Sequence, residues 1–297
     1  MLKDIAGLSA ESRMAIEYLV GGGGLKGRGD GIFAPGANAT REEIAILIHR
    51  VLNWPRLMAD KLADATTHIM YFTTKNNVGT GSGWWRAPGV IATGKHVITE
   101  RLDDGAQFCR MNGLVLRGMG GQIRSGLNEQ APYVVWETDV IDPLDLAYIL
   151  VPPVMWEAYL QRRVEQGLSR EPLYLVPSQG REAVKGEPCV AFGSPLMYEG
   201  TLSSGIVANV AIMRNEAIGI QSEWIMTTAG INPGNSGGPL VAFNGDLLGM
   251  NLLKPWYSAG SWGMTHGDDL GLSLTCKEIL AWEQRRKAKF AAAGITL

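Results

Sequence analysis

INPGNSGGPL, residues 231–240, sets one serine, Ser236, among Gly234, Gly237 and Gly238, with Pro239 close behind. A glycine-rich turn can carry a serine by accident, or it can be built to hold one. Glycine at 234 lets the backbone turn so that its amide and that of Ser236 point to one spot. Gly237 and Gly238 clear room for an approaching carbonyl, and Pro239 starts the next strand from a fixed φ. Two convergent amides can hold a developing oxyanion, at roughly 3–4 kcal/mol per donor. Ser236 is therefore a candidate nucleophile, and Gly234 and Ser236 are candidate oxyanion donors.

Such a serine needs a base and a group to orient that base. The sequence has four histidines. His49 lies on a helical stretch, His68 at the start of a strand, and His266 in the loop GMTHGDDLG. His96 follows GTGSGWWRAPGVIATGK, which reads as a glycine-flanked strand, a Pro-Gly turn and a second strand. It stands at a strand-to-turn junction and is the candidate base. The orienting carboxylate comes from TDVIDPLDLAYILV. Asp145 directly precedes the apolar run LAYIL, where a buried carboxylate can hold one imidazole tautomer. Asp142 and Asp139 are the alternatives, although Asp142 before Pro143 also suits a turn.

Composition narrows the class. The chain has 297 residues, 46% hydrophobic and 19% charged, so it can bury a sizeable core and is not a disordered chain. Its net charge of −2 provides no basic field for nucleic acid or an anionic membrane. Cys109, Cys189 and Cys276 are far apart and form no CxxC spacing, which suits small core residues. No apolar run approaches the ~18 residues of a membrane span. No metal or organic cofactor is implied. The N-terminus, MLKDIAGLSAESR, lacks the apolar core of a signal peptide. The expected location is the cell envelope or exterior if a leader was removed, and otherwise cytoplasmic or phage-associated.

Two textures divide the chain. Residues 1–54 read as helix–loop–helix, with a first helix over 10–20 stopped by GGGG and a second from Thr40 carrying Ile44, Leu47, Ile48 and Val51. TREE at 40–43 has the pattern of a capping box. Trp54-Pro55 is expected to end this helix, leaving 55–65 as a linker. From residue 66, short apolar runs split by glycine and polar turns predict a mainly β fold, with one unit over 66–172 and another over 173–275. Gly 38 fits many tight turns. Asn244-Gly245, between PLVAF and DLLGM, predicts a hairpin. A helical insertion near 154–168 can cap a cleft or pack on the first unit, and packing is the favoured expectation. Residues 276–297 hold a C-terminal helix, with Arg285, Arg286, Lys287 and Lys289 placed to complement its dipole.

The order His96, Asp145, Ser236 resembles that of chymotrypsin-like proteases. GTGSGWW…GKHVI, DPLDLAYILV, GEPCVAFGSPL…GTLSSGIVANV and TTAGINPGNSGGPLV, in that order along the chain, resemble the histidine, aspartate, second-barrel and nucleophile segments of the HtrA/Deg branch. The resemblance implies two perpendicular antiparallel β-barrels, with His96 and Asp145 on the first and Ser236 on the second. It implies a serine endopeptidase acting on protein or peptide substrates. The expectation is that the PDZ domain usual in HtrA-type proteases is absent. By the same resemblance the specificity pocket has Gly230 at its base, beside Ile231, with the strand GMNLL as a wall. Asn251 stands where glutamyl endopeptidases carry a histidine. With no acid at the base, the expected preference is for small or medium aliphatic residues before the cut.

LKDI, AIEYL, GRGDGIFAP and TREEIAILIHRVL resemble one S-layer homology module over about 2–53. In that family an arginine of the TRAE-like motif contacts anionic cell-wall polysaccharide, and here that residue is Arg41. Cell-wall binders usually carry three modules and HtrA-type proteases are commonly trimers, so a homotrimer would bring three modules together. Two other readings stand beside the protease: a non-catalytic cell-surface or assembly module on a protease fold, and a self-processing phage or assembly protease.

Overall fold

The computed structural model describes residues 53–72, 78–98, 100–101, 107–108, 113–124, 144–195, 198–215, 220–253, 256–258, 264–266, 270–292, 294, 295 and 297, with residues 7, 8, 13, 16, 45, 48 and 49. The TREE capping box, Arg41, Cys109, Asp139, Asp142 and nearly all of the expected helix–loop–helix lie outside them.

The stretch expected as a linker is a helix, α1 (Trp54–Ala65). Pro55 sits in its first turn, where a missing N–H costs nothing and a fixed φ is already helical. Trp54-Pro55 therefore opens a helix where a linker was expected. Met58, Leu62 and Ala65 share one face and are buried in the main core.

Nine short elements follow: β1 (Thr66–Phe72), β2 (Val78–Ala87), β3 (Val90–Thr93), the one-turn helix α2 (Lys95–Ile98), β4 (Glu100–Arg101), β5 (Gln107–Phe108), β6 (Gly113–Gly118), β7 (Gly121–Arg124) and β8 (Ala147–Leu150). Six of them form one antiparallel sheet in the order β7-β6-β1-β2-β3-β8. Helix α3 (Pro153–Glu165) then crosses to the second half, which contains β9 (Pro188–Gly193), β10 (Thr201–Asn215), β11 (Ile220–Thr227), β12 (Pro239–Ala242), β13 (Leu247–Leu253), the ribbon of β14 (Trp256–Ser258) and β15 (Met264–His266), and β16 (Gly271–Thr275). Strands β10-β11-β16-β13-β12-β9 close into a barrel. Helix α4 (Cys276–Ala292) ends the chain. This is the mainly β architecture that the short apolar runs predict. The β12–β13 hairpin turns at Asn244-Gly245 as expected, with Gly245 at φ 89° and its amide on Ala242 O at 3.0 Å.

Strand β2 organises the interior through its alternation. Gly79, Gly81 and Gly83 leave room for side chains to lie flat on the strand. A Cβ at Gly81 would fall 2.3 Å from Val97 Cγ1, and one at Gly83 2.6 Å from Ile91 Cγ2. Thr80, Ser82, Trp84 and Arg86 alternate with them. Trp84 is fully buried and donates from Nε1 to Leu175 O at 3.1 Å. It belongs to one core that also takes in Val190, Phe192, Val241 and Met250 of the barrel and Ile279, Trp282 and Phe290 of α4. The two halves therefore share apolar core; burying each such side chain contributes about 1.5–3 kcal/mol.

Helix α3 packs on the first sheet, as expected for the insertion. Trp156 and Tyr159 lie against Trp85, at ring-centroid distances of 4.8 and 5.2 Å. Arg163, 1% exposed, donates to Asp64 Oδ1 of α1 at 2.6 Å. Cys189 and Cys276 are buried free thiols, and burial pushes them up to about 11 and about 12. Both are thereby kept protonated and inert.

Helix α4 returns to the first sheet through a buried ion pair. Arg86 donates from Nε to Glu283 Oε1 at 2.7 Å and from Nη2 to Oε2 at 3.0 Å, and the Tyr148 hydroxyl donates to the same carboxylate. Burial and the Glu283 charge push the Tyr148 phenol well above its ordinary value, so it remains a donor. Arg286, expected to serve the helix dipole, is 6% exposed and stacks over Trp282 at 4.7 Å. Lys289 alone of the four lies in the last turn. Removing one partner of a buried pair strands the other charge. Glu283→Ala is expected to cost about 3–5 kcal/mol, read as a thermal midpoint lower by roughly 10 °C. A midpoint equal to the parent's would show that Arg86 has a solvent route this geometry denies it.

Candidate active site

His96 and Asp145 come from opposite ends of paired strands. β3 ends at Thr93, Gly94 breaks it, and the turn of α2 presents His96; β8 pairs with β3 in the register Thr93↔Ala147, which places Asp145 just ahead of that pair. Asp145 holds His96 twice. Its Oδ1 accepts from the His96 amide at 2.8 Å, and its Oδ2 bonds His96 Nδ1. The imidazole Nε2 is left as the ring nitrogen free of Asp145. Burial works to lower the His96 pKa, but the Asp145 hydrogen bond and charge outweigh it and hold the pKa above the ordinary imidazole value. Burial works to raise Asp145, but the hydrogen bond and charge of His96 hold it below the usual carboxylate value. Asp145 is thus brought against His96, while Asp139 and Asp142 lie outside the described residues.

Ser236 lies in the turn that leads into β12 on the closed barrel. Gly234 has φ 102° and Gly237 φ 84°, conformations that only glycine adopts freely. The turn spends its amides in a particular way. Asn235 N donates to Asn232 O, Gly237 N to Asn251 O and Gly238 N to Asn235 O, at 2.9, 2.7 and 2.9 Å. Among the described residues, the amides of Gly234 and Ser236 have no acceptor, although Gly234 is buried. The Ser236 hydroxyl donates to Leu252 O at 3.0 Å. Leu252 also flanks the imidazole across Gly94, where a Cβ would fall 3.0 Å from Leu252 Cδ2 and 3.2 Å from His96 Cε1. The sheet and the barrel thus meet between Ser82 and Gly94 on one side and the turn that carries Ser236 on the other.

Beside this turn, Gly230 is exposed, and a Cβ there would meet nothing within 4 Å. Ile231 is 3% exposed and fills the space over Gly271, where a Cβ would fall 2.4 Å from Ile231 Cδ1. Asn251 points inward: it is fully buried, its Nδ2 donates to Pro239 O at 2.9 Å, and its Oδ1 accepts from Ser273 Oγ at 2.8 Å. Its carboxamide is already engaged inside the barrel.

A six-stranded sheet and a closed barrel, with a carboxylate-bound histidine on one and a glycine-framed serine on the other, define a chymotrypsin-type fold. The chain belongs to the trypsin-like peptidase domain family, whose model matches residues 81–250. It is similar to serine protease HTRA4 of Mus musculus, 28% identical over 217 residues that cover 70% of this chain and 38% of that protein. It is similar to serine protease HTRA3 of Homo sapiens, 28% identical over 242 residues that cover 77% of this chain and 46% of that protein. The chain therefore spans less than half the length of these curated relatives. Among solved structures, the HtrA-type protease AlgW with tripeptide is 20% identical with a TM-score of 0.55, covering 78% of this chain and 63% of that one. The active form of the Rv3671c protease from M. tuberculosis is 18% identical with a TM-score of 0.55, covering 83% and 88%. At these identities the likeness is one of fold.

Ser82 was missed by sequence reasoning. It is fully buried in β2 and bonds the turn that carries Ser236. The alternation of glycine with Thr80, Ser82 and Trp84 was the available signal.

Proposed function

We propose that the chain is a serine endopeptidase that cleaves protein or peptide substrates with His96, Asp145 and Ser236. The observation that carries this is the double hold of Asp145 on the His96 amide and Nδ1, which leaves Nε2 for the serine proton. The hydroxyl of Ser236 turns from Leu252 O to His96 Nε2, and its oxygen attacks the substrate carbonyl carbon as its proton passes to Nε2. The carbonyl oxygen becomes the oxyanion, held by the unspent amides of Gly234 and Ser236. Collapse breaks the C–N bond, His96 gives its proton to the leaving amine, and the acyl group stays on Ser236. Water, deprotonated by His96, then attacks the ester and releases the acid. Asp145 orients the imidazole and stabilises the imidazolium throughout.

The specificity reading rests on Ile231. Its side chain takes up space over Gly271, and the engaged Asn251 carboxamide offers nothing to a charged group. A site beside Ile231 with no acid at its base suits a small or medium aliphatic residue before the cut. The test combines a fluorophosphonate probe with a peptide library. The expected result is a single label at Ser236 by peptide mapping, and cleavage after residues such as Ala and Val. A profile dominated by Arg or Glu overturns the pocket assignment. An unlabelled Ser236 with no cleavage overturns the enzyme reading in favour of a non-catalytic module on this fold.

A further inference from the structure

The even-numbered face of β2 points across the molecule. Thr80 is 2.6 Å from Nε2 of His68, whose Nδ1 lies 3.2 Å from Glu199 beyond β9. Arg86 reaches α4. Between them stands Ser82, 0% exposed. Its hydroxyl donates to Gly234 O at 2.6 Å and accepts from Ser194 N at 2.9 Å. Its amide donates to Ser236 O at 2.8 Å, and its carbonyl accepts from Thr93 Oγ1 at 2.7 Å.

We infer that Ser82 is a positioning residue that sets the oxyanion-binding amide of Ser236 from the sheet carrying His96. The reading of Ser236 as nucleophile underlies this. The Ser236 N–H belongs to the peptide joining residues 235 and 236. Ser82 grips the peptides on either side of it, one through Gly234 O and the other through Ser236 O. With both flanking carbonyls drawn toward β2, the middle amide is turned away from Ser82 and has no acceptor of its own. Thr93 fixes Ser82 in turn, one residue before Gly94 and three before His96. The nucleophile turn and the imidazole are thus referenced to one point.

The socket around Ser82 is built to this fit. A Cβ at Gly193 would fall 2.7 Å from Ser82 Oγ, one at Gly237 2.2 Å from Ser82 O, and one at Gly238 3.2 Å from Ser82 Cβ. Glycine at all three positions lets the second half close on this one residue, side chain and carbonyl together. The hydroxyl satisfies a buried carbonyl and a buried amide at once, so its loss strands both. The turn is then free to tilt, and small misplacements of reacting groups are costly.

The experiment compares Ser82→Ala with the parent and with Tyr148→Phe, which removes a buried hydrogen bond on Glu283 away from the turn. Ser82→Ala is expected to lower kcat about 10- to 100-fold with little change in KM, as for an interaction that matters in the transition state. Affinity for a peptide boronic acid, which needs the same amides, is expected to fall in step. Amide hydrogen exchange of the segment 232–240 is expected to rise in Ser82→Ala and to stay at the parent level in Tyr148→Phe. An unchanged kcat, or an equal loss in Tyr148→Phe, overturns the assignment. If the parent itself does not cleave, the nucleophile reading has failed, and the exchange measurement still decides the clamp: unchanged exchange over 232–240 refutes it.

Discussion

Ser236→Ala is expected to lower hydrolysis of casein roughly 10⁶-fold, and His96→Ala with Ser236→Ala together are expected to do no worse. In the proposed mechanism the two residues act as one unit. Without the hydroxyl the base has no proton to take, and without the base the hydroxyl is a poor nucleophile. The rate left over is what the amides of Gly234 and Ser236 and substrate binding supply to attack by water. The substitution is mild structurally. The side chain is partly exposed and, among the described residues, its hydrogen bond is to Leu252 O. The Ser82 amide still meets the backbone carbonyl at 236. Thermal unfolding is therefore expected to stay within about 1 kcal/mol of the parent, so a lost rate cannot be put down to a lost fold. Initial rates on casein for the two single variants and the double variant decide it. A Ser236→Ala protein that keeps more than about a hundredth of the rate, or a double variant that falls well below both singles, removes Ser236 from the role of nucleophile.

The turn around Ser236 was legible because its chemistry is local. Gly234 and Gly237 hold positive φ, and the free and spent amides alternate within a few residues. His96 and Asp145 were legible for a related reason: each stands where an apolar strand begins or ends, and the register of β3 against β8 brings those ends together. Ser82 was not legible in this way. Its partner carbonyl at Gly234 is 152 residues away, and no spacing rule reaches that far. Even so, Gly79-Thr80-Gly81-Ser82-Gly83 holds a parity signal, one face stripped of side chains and the other polar in a buried strand.

Two misreadings have physical causes. Residues 55–65 were read as a linker because proline restricts the residue before it, without weighing proline's fitness for a first helical turn. The spacing of Met58, Leu62 and Ala65 was the evidence for α1. Arg286 was counted with its charged neighbours on α4, but it lies on the Trp282 side of the helix, where a guanidinium over a ring face is favourable. Charge runs are read along the chain, whereas burial follows the helical period.

Asp145→Asn is expected to lower kcat about 10⁴-fold while leaving the fold in place. The argument is one of tautomers. Asp145 accepts at both oxygens, from the His96 amide and from Nδ1. An asparagine that keeps its oxygen on the amide turns its NH₂ toward Nδ1. Nδ1 then becomes an acceptor, the ring proton moves to Nε2, and Nε2 can no longer take the serine proton. The pH profile separates this from simple loss of packing. In the proposed mechanism neutral His96 is the working form, so kcat/KM is expected to fall as pH drops through the His96 pKa. In the parent, Asp145 raises that pKa against the pull of burial, which puts the acid limb above the ordinary imidazole value of about 6.5. In Asp145→Asn the charge and its hydrogen bond are gone and burial remains, which favours the neutral ring. The acid limb is therefore expected to move to lower pH even as the plateau collapses. A profile that falls in height with its limb in place would mean that Asp145 holds His96 only by shape.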